Sequence, residues 1–174
     1  MKWIAISGSW RYYSEALEFD VRDSVNKILS KEHSIVTGGA LGVDYYATDE
    51  ILKHEFIETR VKIFLPTSLT IYIEHYRKRA LEGVITFQQT AMLEEQLLEV
   101  KERYPFALVE NFDFTSVSRE SYYERNKFIV NVCDELMAFH VNNTQGTLDA
   151  INKAIELGKK VRVIKYTIPQ EKIA

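Results

Sequence analysis

The stretch Thr37-Gly38-Gly39-Ala40-Leu41-Gly42-Val43-Asp44 constrains this chain more than any other. It follows a short apolar run, Ser34-Ile35-Val36, and precedes Val43, Ala47 and Ile51, which fall on one face of a helix. The order is therefore strand, glycine turn, helix. Glycine belongs where the backbone takes positive φ or where another group must approach the main chain closely. At a helix start, free N–H groups and the helix dipole favour an anion. Two readings follow: a phosphate-binding turn, or a tight turn whose glycines let the helix pack on the sheet.

The same grammar recurs along the chain. Lys2–Ser7 reads as a strand, followed by Ser7-Gly8-Ser9-Trp10-Arg11 and a helix capped by Ser14, with Leu17, Val21, Val25 and Ile28 as its buried stripe. Val61–Leu65 reads as a third strand. The spacing then predicts two helices over 70–81 and 86–104, with Phe87, Ala91, Leu97, Leu98 and Val100 as the second one's apolar face. They form a helical hairpin inserted over about 68–105, able to act as lid, dimer contact or sheet cover. After a short strand at 107–112, the rhythm resumes with a helix over 120–132 and a strand over 135–140. A polar turn follows at 142–147, then a helix to 157 and a last strand at 161–164. The tail from Tyr166 to Ala174 is expected to be loose at its end.

Alternating strands and helices imply one α/β domain across residues 1–174, with a parallel sheet and helices on both faces. In such sheets ligands bind outside the strand carboxyl ends, where strand order reverses. Three turns meet that edge. They supply Gly8, Ser9 and Arg11, then Gly38, Gly39, Gly42 and Asp44, then Thr144, Gly146 and Thr147, with Asn143 beside them. Together they point to a nucleotide-sized anionic ligand. Valine at Gly38 or Gly42 is expected to abolish binding while leaving the fold intact.

Composition narrows the function. The 174 residues carry a net charge of −3, which does not advertise nucleic-acid binding across the whole surface. The basic cluster Arg77-Lys78-Arg79, with Tyr72 and Tyr76 nearby, offers a local patch for single-stranded DNA. No apolar run is long enough to span a membrane. The N-terminus runs straight into a strand pattern, so no signal peptide is expected. One cysteine, Cys133, forms no internal disulfide, so a cytoplasmic location is expected. No G-x-G-x-x-G or P-loop pattern is present, which argues against NAD and P-loop ATP chemistry. His33, His54, His75 and His140 lack metal spacing, so neither metal nor cofactor is expected, and His140 reads as structural.

The segments SGSWRYYS, TGGALGVD and ERNKFIV, with GTLDAINKAIELGKKVRVI, resemble the Rossmann-like core of the DNA-processing protein A family. More widely they resemble the SLOG superfamily, which includes the LOG-type phosphoribohydrolases. The resemblance covers the first 65 residues and 120–165, and it implies a Rossmann-like fold. DNA-processing A proteins bind single-stranded DNA near a GS-x-R turn, which Arg11 matches in type. LOG-type enzymes use an arginine, matched by Arg125, and a glutamate, at whose position Ala150 stands. Without that acid, phosphoribohydrolase turnover is not expected unless Asp44 or Glu124 replaces it. No catalytic residue is assigned. The leading expectation is binding of a nucleotide or nucleotide-derived phosphate by these turns with Arg11, Arg125 and Asn126, in a homo-oligomer. Single-stranded DNA binding is the alternative.

Overall fold

The computed structural model describes residues 1–54 and 58–169. Six strands form one sheet: β1 (Trp3–Gly8), β2 (Ser34–Gly38), β3 (Val61–Phe64), β4 (Leu108–Val109), β5 (Glu135–Val141) and β6 (Lys160–Tyr166). Their order is β4-β3-β2-β1-β5-β6, and every pairing is parallel. The chain winds outward from β1 to β4, then returns to lay β5 on the other side of β1. The switch point thus lies between the carboxyl ends of β1 and β5.

The helices are α1 (Glu15–Ser30), α2 (Val43–Ile51), α3 (Leu69–Leu81), α4 (Phe87–Arg103), α5 (Arg119–Val132) and α6 (Gln145–Glu156). Period-2 alternation divides the sheet between two cores. Ile4, Ile6, Ile35, Ile63 and Phe139 pack under α1 to α4, whereas Ala5, Val36, Leu136 and Ala138 pack under α5 and α6. The first core is larger because the inserted pair α3–α4 adds Tyr72, Tyr76, Leu93 and Leu97, all nearly or fully buried. Ser14 caps α1 through the Leu17 N–H, as its sequence position predicts.

One amphipathic stripe differs from expectation. On α4, Phe87 and Leu98 are 62% and 50% exposed, and the buried set is Thr90, Leu93, Gln96, Leu97 and Val100. Two polar positions turn inward because each finds a backbone acceptor. Thr90 Oγ1 donates to the Tyr76 carbonyl and Gln96 Nε2 to that of Tyr45. Residues 170–174 of the tail lie outside the described residues.

The α1–α2 junction is held by charge. Glu50 accepts from Asn26 Nδ2 at 2.8 Å and Lys53 Nζ at 2.7 Å, with Arg22 Nη1 at 3.2 Å. Burial alone would raise its pKa, but these donors hold it at about 2. A depressed folded-state carboxyl stabilises in full above its unfolded value and loses that contribution as pH falls through the folded value. Glu50→Gln is therefore expected to lower stability at pH 6 and to converge on wild type by about pH 2, as read by urea unfolding across that range. A constant gap at every pH would contradict this.

Candidate functional site: a cleft at the switch point

A cleft of about 790 Å³ opens at the carboxyl ends of β1 and β5. Its size suits a nucleotide-sized ligand. Five segments build it: Ser7–Trp10 after β1, Ala40 and Asp44 at the start of α2, His75, Tyr76 and Arg79 of α3, one side of α5, and Thr144–Thr147 at the start of α6.

The α6 end is built on a polar turn. Asn142 and Asn143 take positive φ of 48° and 55°, which asparagine tolerates. Asn142 is clamped to Ile168, donating to its carbonyl at 2.6 Å and accepting from its N–H at 2.9 Å. The N-cap Thr144 makes no side-chain capping bond, and nothing lies within 4 Å of where a Gly146 Cβ would stand. The first turn of α6 therefore turns open N–H groups to the cleft. Asn126, 3% exposed, ties this turn to α5 by donating to the Gly146 carbonyl at 3.1 Å and Asp149 Oδ2 at 3.0 Å. His140 closes the turn from below, its Nε2 lying 3.3 Å from the Thr144 carbonyl, a structural contact.

Charge converges on the same space. Arg79, Arg119 and Arg125 line the cleft. The Arg125 guanidinium lies 5.1 Å from the Tyr122 ring centroid, and its Nη2 donates to Asn126 Oδ1 at 3.3 Å. Its Nε and Nη1 are buried with no hydrogen-bond partner among the described residues. Opposite stands Asp44, 5% exposed, accepting from Thr37 Oγ1 at 3.1 Å and the Ala40 N–H at 3.4 Å. Burial raises the Asp44 pKa, opposed by Arg125 and those two donors. Burial would lower that of Arg125, but Asp44 and the neighbouring tyrosines outweigh it and leave it raised. Aromatic rings form the walls. Trp10 meets Tyr76 edge-on at 6.2 Å, and Arg119 lies 5.0 Å from the Tyr123 centroid.

The site residues expected from the sequence divide. Gly8, Ser9, Asp44, Arg125, Asn126, Thr144, Gly146 and Thr147 line the cleft, whereas Arg11, Gly38, Gly39 and Gly42 do not. Arg11 lies over the Trp10 ring, 5.5 Å from its centroid. The spaces left by the three glycines are filled by the protein itself. A Cβ on Gly38 would stand 2.6 Å from Asp44 Oδ2 and 2.8 Å from Arg125 Nη1. One on Gly39 would meet Leu65 at 2.3 Å, and one on Gly42 the Ser9 carbonyl oxygen at 2.2 Å. The Val43 N–H, first on α2, donates to that same Ser9 oxygen. The glycine turn thus serves close packing: a side chain at Gly42 would meet fixed backbone and disturb the fold, whereas one at Gly38 would press on Asp44 and Arg125, two residues of the cleft.

The basic cluster on α3 also divides. Arg77 pairs with Glu94 at 2.7 Å, away from the cleft, whereas Arg79 lines it. Tyr72 and Tyr76 are 0% and 2% exposed, so they form wall and core rather than an open stacking platform. The cleft residues not read as site residues from sequence include Trp10, His75, Arg119, Tyr122 and Tyr123. Arg119 carried a signal: it opens α5, where a cation opposes the helix dipole. Among the described residues, no group of histidine, cysteine and carboxylate could hold a metal, and no helix is long and apolar enough to cross a membrane.

Sheet order and the switch-point cleft define a Rossmann-like α/β protein. The chain belongs to the DNA recombination-mediator protein A family, whose model matches residues 1–174. No curated protein matches it. Among solved structures it is similar to DNA processing protein A from Helicobacter pylori, whose structure concerns its single-stranded DNA binding mode, with 18% identity and a TM-score of 0.63 over 93% of this chain and 64% of that one. DNA processing protein A from Streptococcus pneumoniae is similar at 17% identity and a TM-score of 0.64, over 99% of this chain and 53% of that one. The chain thus spans less than two thirds of either relative. The molybdenum cofactor carrier protein of Chlamydomonas reinhardtii shares the fold at 14% identity and a TM-score of 0.56, over 98% of this chain and 80% of that one.

Proposed function

We propose that this chain binds single-stranded DNA, seating a phosphate of the strand in the switch-point cleft. The observation that carries the reading is the pair of buried Arg125 donors without an acceptor, beside the open first turn of α6. Buried donors left unpaired are costly, and a phosphate oxygen satisfies them. Arg79 and Arg119 extend the positive charge to the mouth, and Trp10, Tyr122 and Tyr123 offer apolar walls for a sugar or base. Family membership supports a strand as the ligand over an isolated nucleotide. A cleft of about 790 Å³ also accommodates a second reading, a free nucleotide phosphate.

Anisotropy titration of a labelled oligothymidylate at several salt concentrations tests the proposal. Arg119→Ala is expected to weaken binding about tenfold and to make the slope of log K against log salt shallower by about 0.7, the value for one lost phosphate contact on a single strand. Arg77→Ala should leave both unchanged, because Arg77 is paired with Glu94 outside the cleft. The reverse pattern would move the strand to the hairpin surface.

A further inference from the structure

A carboxylate sits in the middle of this anion site, and strand binding does not require one. Asp44 is 5% exposed and lines the cleft. Between its Oδ2 and Arg125 Nη1 lies little more than the position of the absent Gly38 Cβ, 2.6 Å from the one and 2.8 Å from the other. Arg125 therefore faces a fixed negative charge before any ligand arrives. Arg79 is likewise engaged, its Nη1 2.7 Å from Glu82 Oε2. Among the described residues, neither Arg119 nor Arg125 makes a carboxylate ion pair, but Arg125 has Asp44 across the Gly38 gap. The floor of the site is close to neutral, apart from the roughly half-unit positive charge of the α6 N-terminus.

Such a floor treats one negative charge and two very differently. Attraction to the site grows in proportion to ligand charge, whereas the Born cost of leaving water grows with its square. The second charge of a phosphomonoester must also approach Asp44. We infer that Asp44, set against Arg125 across Gly38, makes the cleft selective for phosphodiesters, the monoanionic linkages inside a strand, over dianionic terminal phosphates. This rests on the cleft being the strand site, and it names which phosphate of the strand that site takes. It also separates the two readings above, since a free nucleotide carries the disfavoured dianion.

The test uses a matched pair, thymidine 5′-monophosphate and its methyl ester, which differ by one methyl group and one charge. Each competes against a labelled oligothymidylate on the whole chain. At about pH 8 the ester is expected to bind about tenfold more tightly. At about pH 5.5 the gap should close to within about threefold, because the second phosphate pKa is near 6 and the monoester becomes a monoanion. The other titratable groups facing the site are His75, Arg79 and Tyr76 on α3 and Arg119, Tyr122, Tyr123 and Arg125 on α5. Of these, His75 is held below its ordinary pKa by burial and then by Arg79, and at about pH 5.5 both ligands are mostly monoanions, so its protonation there acts on the two nearly alike. Asp44→Asn should remove the gap at pH 8 while keeping ester binding. If that variant does not fold, the wild-type pH series decides alone. Equal or tighter binding of the monoester at pH 8 overturns the inference but leaves the strand proposal standing. Failure of both nucleotides to compete, with the oligonucleotide still bound, overturns the inference too. Failure of the oligonucleotide itself to bind removes the strand proposal.

Discussion

Replacing Arg125 with leucine is expected to weaken single-strand binding about 100-fold, roughly 3 kcal/mol. The side chain supplies the two buried unpaired donors that a phosphate oxygen would fill. It also has a structural duty, because Asp44 then faces the cleft with no cation near its buried carboxyl. Breaking a buried pair in direct contact costs roughly 3–5 kcal/mol; here a Cβ-sized gap separates the partners, so on the order of 2 kcal/mol is expected. The pH dependence follows from the raised Asp44 pKa. A carboxyl raised in the folded state binds more protons there than in the unfolded chain, so stability falls as pH climbs from about 4 to the folded value. Removing Arg125 pushes that folded value higher and widens the window. Urea unfolding should show the variant nearer to wild type at pH 5 than at pH 8. A penalty that grows towards acid pH would contradict the placement of Asp44 beside Arg125.

The second large effect is on the fold. Gly42→Ala is expected to cost about 3–4 kcal/mol and lower the melting temperature by about 10 °C. Gly42 has φ of 73°, in the left-handed region that costs an L-residue roughly 1–2 kcal/mol. Its Cβ would also stand 2.2 Å from the Ser9 oxygen and 2.8 Å from Trp10 Cα, both backbone atoms that cannot swing aside. Gly146→Ala makes the comparison sharp. Space is open there, so its melting temperature should stay within about 2 °C of wild type. Circular dichroism melts of the two variants decide it, and a mild effect at Gly42 would mean that the first two turns do not pack as described.

These two glycines show how far the sequence carried. The repeated strand–turn–helix order was legible because each unit is local: apolar run, glycine or capping residue, then a helical stripe. Ser14 and the polar turn at 142–147 were placed by the same chemistry. The purpose of Gly38, Gly39 and Gly42 was not legible. A glycine that admits a ligand and one that admits Leu65, Arg125 or a neighbouring backbone leave the same mark on a sequence. The third wall of the cleft was hidden for another reason. Tyr76 and Arg79 reach the site only because α3 folds back over the first face of the sheet, which helical periodicity does not reveal. The same periodicity shows Arg77, Lys78 and Arg79 as one cluster, although Arg77 and Arg79 stand on opposite sides of their helix. On α4, Thr90 and Gln96 displaced Phe87 and Leu98 from the interior because distant carbonyls were waiting for them.

The most direct measurement is photochemical crosslinking of an oligothymidylate carrying 5-iodouracil, followed by peptide mapping. A strand seated in the cleft should crosslink to its aromatic walls, with adducts on Trp10, Tyr122 or Tyr123, and these should disappear in Arg125→Leu. Adducts confined to the exposed face of α4 or to β6, and unchanged in that variant, would place the strand elsewhere and contradict the cleft as its site.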